Sequence, residues 1–139
     1  MTHVHPIRRA QPRDVVAIER LLAPEVARGT VLPRVVDPRD FLVGDRVCAA
    51  LTPWSSTVVE LGSVVSARPG MGTLVVEAAV AEAAARGFAQ VVVLTGLTEW
   101  FARRGFTTVN APLDLKEQHC MGCPLKAGCA QVLMVRDVV

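Results

Sequence analysis

Apolar positions along this chain fall into β-branched runs and into stripes at helical spacing, with Gly and Pro between them. Val4 to Ala10 reads as a short first strand. Pro12-Arg13-Asp14 follows as a helix start with Asp14 as its cap, since a side-chain oxygen there can accept from the free N–H groups of a first turn. Val15, Ile18 and Leu22 recur at helical spacing and predict one buried face. Gly29 and Pro33 end that helical region. Pro38 and Pro53 bracket Phe41 to Leu51, which reads as two short strands turning at Gly44-Asp45. Val58 to Ser66 is β-branched and apolar, so it predicts a central strand buried on both faces.

A glycine turn, Arg68-Pro69-Gly70-Met71-Gly72, leads from that strand into a helix from about Thr73 to Arg86. The helix is apolar nearly all round and is expected to be buried. Glu82 and Arg86 form an i,i+4 pair on it, and Gly87 stops it. Gln90 to Thr95 predicts another strand. Thr98 to Arg104 predicts a short helix closed by Gly105, and Phe106 to Val109 starts a further strand. Residues 110 to 130 read as a loop, cysteine-bearing from about 114 to 130, before a last strand from Gln131 to Arg136. This order predicts an α/β (α+β) fold, a mixed central sheet flanked by helices. The 139 residues are enough for one domain with one core.

Composition narrows the function classes. Hydrophobic residues make up 51% of the chain, too many for a disordered tail. The 15 basic and 13 acidic residues are nearly balanced and form no long run of one sign. Neither nucleic acid nor an anionic membrane is expected as a partner. The N-terminus lacks a cleavable apolar stretch, and no segment reaches the length of a membrane span. A cytoplasmic protein with reduced cysteines is the expectation.

Two segments carry candidate chemistry. In the first, Gly70 and Gly72 let backbone approach a phosphate closely, and the following helix aims its free N–H groups and positive dipole end at the anion. A plain turn is the competing explanation. In the second, Leu94-Thr95 leads through Thr98-Glu99-Trp100-Phe101-Ala102-Arg103-Arg104 to Gly105-Phe106. There Trp100, Phe101 and Phe106 read as packing residues.

These segments together resemble the GNAT superfamily of N-acetyltransferases, and within it the short, stand-alone N-acetylglutamate synthase-like proteins. The matching stretches are Ile7-Arg8-Arg9-Ala10 with Asp14 and Ile18, and Gly29-Thr30-Val31-Leu32-Pro33-Arg34. Phe41-Leu42-Val43, Cys48-Ala49-Ala50-Leu51 and Glu60-Leu61 follow, then Gly70-Met71-Gly72, Val93-Leu94-Thr95 and Phe101 through Phe106. The resemblance covers nearly the whole chain. It implies acetyl transfer from acetyl-CoA to the amine of a small amino acid, glutamate in the first instance, as the entry to arginine biosynthesis. It implies that Val64, Val65 and Ser66 offer backbone groups to the pantetheine arm, and that Arg68, Gly70, Met71, Gly72 and Thr73 hold the pyrophosphate. Glu60 falls where the superfamily often keeps a general base, and Arg34 matches the arginine that meets a substrate carboxylate. Pairing through the last strands would make a homodimer.

The chain also departs from the pattern. Arg68 stands one place closer to Gly70 than in the family's turn. Leu97 occupies the place of a second arginine in the long synthases. No Tyr exists to act as a catalytic acid, leaving Ser66, a water or no acid at all. A degenerate GNAT fold that binds acyl-CoA or a partner without turnover is therefore the alternative.

Cys120, Cys123 and Cys129 have the spacing Cys-x2-Cys-x5-Cys. A Cys-x2-Cys knuckle can place two thiolates on one zinc ion, with a third from a later turn and Cys48, Asp114 or His119 as the fourth ligand. Three reduced thiols in a packed loop are the other reading. Metal analysis of purified protein separates them: a structural zinc gives about one ion per chain, and free thiols give none.

Overall fold

The computed structural model describes residues 6–109 and 132–138. A single 3-10 turn, Pro12–Asp14, precedes helix α1, Val15–Arg28. Ile18 and Leu22 form its buried face, as their spacing predicts. Asp14 does not cap α1 through its side chain. Its carboxylate instead accepts two 2.8 Å hydrogen bonds from Arg8 and one of 2.7 Å from the Gln11 N–H. The Arg8 bonds, then the Gln11 N–H, hold Asp14 down at about 2, so it stays ionised. Gly29 ends α1 in the left-handed region that favours glycine (φ 77°).

Among the described residues seven strands form one sheet: β1 Arg8–Arg9, β2 Phe41–Gly44, β3 Val47–Pro53, β4 Val58–Ser66, β5 Gln90–Thr95, β6 Thr107–Thr108 and β7 Val132–Asp137. Their order is β1-β2-β3-β4-β5-β7-β6. Every neighbouring pair is antiparallel except β4 and β5, which are parallel. The last strand in the chain thus slots between β5 and β6. β4 and β5 have the predicted bounds; of the predicted first strand, Val4 and His5 lie outside the described residues and Arg8–Arg9 pair in the sheet.

Helix α2 spans Met71–Ala85 and starts two residues before its predicted point. It is not buried all round. Val75, Val76, Ala79, Val80 and Ala83 face the sheet, while Leu74, Glu77 and Ala84 are exposed. An alanine-rich helix looks apolar on every face, yet its outward alanines remain in water at little cost. The Glu82–Arg86 pair forms at 2.7 Å, and Arg9 joins it. Helix α3, Thr98–Ala102, is shorter than predicted, with Gly105 left-handed after it.

The sheet has a core on each face. Val47, Ala49, Leu51, Val59 and Leu61 meet α2 with Phe106 and Met134. Cys48, Ala50, Phe41 and Val43 meet α1 at Ile18 and Leu22. This alternation along β3 is the period of a strand covered on both sides. Leu51 is 1% exposed and Val16, on the outer face of α1, is 56% exposed. Leu51→Ala should therefore cost about 2–5 kcal/mol in urea denaturation, and Val16→Ala should stay within about 0.5 kcal/mol.

Candidate active site

β4 and β5 pair only from Val58–Glu60 to Gln90–Val92, although β4 continues to Ser66 and β5 to Thr95. Beyond those three pairs the strands part. The register between β3 and β4 slips there, between Cys48–Val65 and Ala50–Gly62, and Ser63 takes a positive φ of 49°. A bulge of this kind bends its strand. The gap is a cleft of about 570 Å³. Leu61 to Val64 and Ser66 line it from β4, Val93 to Leu97 from β5 and the turn after it, and Trp100 and Phe101 from α3. Glu25, Gly29, Thr30 and Val31 close it from the end of α1. β4 is therefore not buried along its whole length: Val59 and Leu61 are buried, but Gly62 to Val64 are only half-buried, bordering this opening.

The cleft runs into a second hollow lined by Ser66 to Gly70, Gly72, Thr73, Trp100 and Arg104. Gly70 caps α2 in the left-handed region (φ 83°), so a side chain there would be strained. Gly72 matters for space: a Cβ on it would lie 3.4 Å from Trp100 Cζ2. Met71 turns its side chain into the core, and its N–H donates to the Arg68 carbonyl. The Ser66 hydroxyl donates to the same carbonyl at 2.7 Å. Arg68 is paired with Asp45 on the β2–β3 turn. Val64 and Ser66 line the cleft, whereas Val65 packs toward the α1-side core. The Arg104 guanidinium lies 3.5 Å from the Trp100 ring centroid and donates to Thr73 Oγ1 at 2.6 Å.

Glu60 and Arg34 do not line the cleft, but both sit on the α1 side of the sheet. Glu60 faces as Gly62 does along β4, and its Oε2 comes 3.6 Å from where a Gly62 Cβ would stand. It accepts a 3.0 Å hydrogen bond from Trp54 Nε1. Arg34 lies 5.0 Å over the Phe41 ring and 3.5 Å from Asp40. Its Nε is buried with no hydrogen-bond partner among the described residues. The sequence reading missed Glu25, whose carboxylate accepts from Thr30 Oγ1 at 3.1 Å and pairs with Arg28. Trp100 packs against the core as its sequence context predicts, and it also lines both hollows.

Among the described residues, no group of three His, Cys, Asp or Glu could hold a metal ion. Cys120, Cys123 and Cys129 lie outside the described residues. Cys48 is a poor zinc ligand, because burial pushes its thiol up to about 12 and its Sγ donates to the Ser63 carbonyl. No helix among the described residues is long and apolar enough to cross a membrane.

Two solved structures share this fold. An N-acetylglutamate synthase from Neisseria gonorrhoeae, solved with coenzyme A and N-acetyl-glutamate, superimposes with a TM-score of 0.78 at 24% identity. A Mycobacterium tuberculosis protein solved with CoA superimposes with a TM-score of 0.79 at 24% identity. Both matches cover 96% of this chain. The chain has the GNAT fold. It spans 35% of the gonococcal synthase chain and 99% of the mycobacterial one. By sequence it is 27% identical to an uncharacterized N-acetyltransferase of Chlorobaculum tepidum, over 95% of this chain and 96% of that protein. No protein-family model matches it.

Gly72 lines both hollows, and a side chain larger than a methyl there would press on Trp100. Gly72→Leu should abolish CoA binding in a calorimetric titration while the far-ultraviolet circular dichroism stays that of the wild type.

Proposed function

We propose that the chain is an acetyl-CoA-dependent N-acetyltransferase acting on the α-amine of a small amino acid, glutamate or a close analogue. The observation that carries this is the parting of β4 from β5 into a cleft that ends at the N-terminus of α2. A pantetheine arm has a narrow apolar channel with strand backbone on both sides, and a diphosphate has the positive end of a helix. The GNAT fold and the likeness to an N-acetyltransferase over nearly the whole chain support the same reading.

In the reaction a neutral amine attacks the thioester carbonyl, the N–C bond forms, the C–S bond breaks and a thiolate leaves. Glu60, outside the cleft lining but with its carboxylate beside Gly62 of the cleft wall, takes the amine's proton directly or through a water. The Trp54 N–H keeps its carboxylate in place. Ser66 is a poor acid, because its hydroxyl already donates to the Arg68 carbonyl. The chain has no Tyr. A thiolate is a good enough leaving group to depart without protein acid. Arg34, with a buried Nε–H to spare, is the ligand for an acceptor carboxylate. Glu25 lines the cleft and meets the incoming ammonium. An acceptor glutamate would make the reaction the entry step of arginine synthesis.

The rival is a GNAT-fold module that binds acyl-CoA without turnover. The missing Tyr and the shortened turn favour it. A thiol-release assay with acetyl-CoA against a panel of amino acids decides between them. Turnover is expected with an acidic amino acid; CoA binding without any turnover would sink the enzyme reading. Glu60→Gln should lower kcat by about 10²–10⁴-fold with CoA affinity kept. Arg34→Ala should raise KM for the carboxylate-bearing acceptor roughly tenfold or more.

A further inference from the structure

The glycine turn holds an arginine whose charge is already met. Arg68 pairs with Asp45, and both side chains are more than half exposed. A cation that no carboxylate already holds would add to the helix N-terminus in meeting a diphosphate at the start of α2.

We propose that Arg104 is that cation, a preset ligand for the diphosphate of CoA. The proposal rests on the acetyl-CoA reading above and adds a residue and a role to it. Arg104 follows α3, and its side chain folds back over Trp100 toward the first turn of α2. The guanidinium stacks 3.5 Å from the Trp100 ring centroid. Nη1 donates to the Trp100 carbonyl at 2.7 Å, and Nε and Nη2 donate to Thr73 Oγ1 at 3.2 and 2.6 Å. Arg136 Nη1 donates to the Arg104 carbonyl at 2.9 Å and fixes the backbone beneath it.

These contacts have two consequences. First, Arg104 is held in the hollow it shares with Gly70, Gly72 and Thr73 before any ligand arrives. A guanidinium already stacked and hydrogen-bonded loses little freedom on meeting an anion. Second, three bonds leave two of its five N–H groups uncommitted among the described residues. Its neighbours Arg103 and Arg136 reach Glu99 and Glu77, but among the described residues Arg104 has no carboxylate partner. A planar fork with two free donors beside a helix N-terminus suits two oxygens of a phosphate group. Arg104 thereby supplies the charge that the shortened turn does not.

Calorimetric titration of CoA, 3′-dephospho-CoA and pantetheine into wild type, Arg104→Gln and Arg104→Lys tests this. Arg104→Gln should weaken CoA and 3′-dephospho-CoA by the same factor, tenfold or more. Pantetheine, which carries no phosphate, should bind both proteins within twofold. Arg104→Lys keeps the charge but loses the fork, so it should recover only part of the affinity. If Gln prevents folding, the Lys variant carries the test through the same equal weakening of the two phosphorylated ligands. Unchanged CoA affinity overturns the proposal. So does an equal loss for pantetheine, which would make Arg104 a purely structural tie between α3 and α2. A loss for CoA but not for 3′-dephospho-CoA also overturns it, by moving the contact to the 3′-phosphate. A wild type that binds none of the three overturns the acetyl-CoA reading itself, and this proposal with it.

Discussion

Parallel pairing between β4 and β5 is confined to three residue pairs, and the site depends on that limit. Had the two strands stayed paired to their ends, their N–H and C=O groups would be satisfied and the middle of the sheet closed. Instead the bulge at Ser63 turns β4 aside. β5 keeps its other edge on β7, and β4 keeps its other edge on β3. Each strand is thus anchored on one side and open on the other. The opening exposes backbone polar groups that a ligand can meet. It also runs toward the start of α2, whose Gly72 lines it.

The flanking layers hold this opening rather than fill it. α2 lies close to the sheet because its inward positions are Val and Ala. Its first turn offers glycine where bulk would collide with Trp100. α1 ends at the left-handed Gly29, and the chain beyond it brings Thr30 and Val31 to the far wall of the cleft. Edge-on contacts among Trp100, Phe101 and Phe106 support α3 over the cleft, with centroids 4.9 and 5.4 Å apart.

Much of this was legible in the residues. β-branched runs marked β4 and β5 to the residue, and glycines marked both ends of α2 to within two. What local pattern could not carry was anything set by strands meeting. The parting of β4 from β5 has no residue signature apart from tertiary pairing, so β4 read as buried on both faces. The alanines of α2 misled for a different reason, since a small apolar side chain is at home on either side of a helix. At the site, the glycine turn was visible as a phosphate cradle. The partners of its charged groups were not: Asp45 is 23 residues from Arg68, and Thr73 is 31 from Arg104. Glu25 went unread because its position at the cleft depends on how α1 docks.

The proposed acetyl transfer depends on where CoA binds. The most direct measurement is a titration of ¹⁵N-labelled protein with CoA, followed amide by amide. The largest shifts are expected at Val64 to Ser66 and Gly70 to Thr73, with the Trp100 indole N–H moving alongside them. Shifts confined to the opposite end of the sheet, around Arg8, Arg20 and Arg46, would contradict that placement, as would no shift at all.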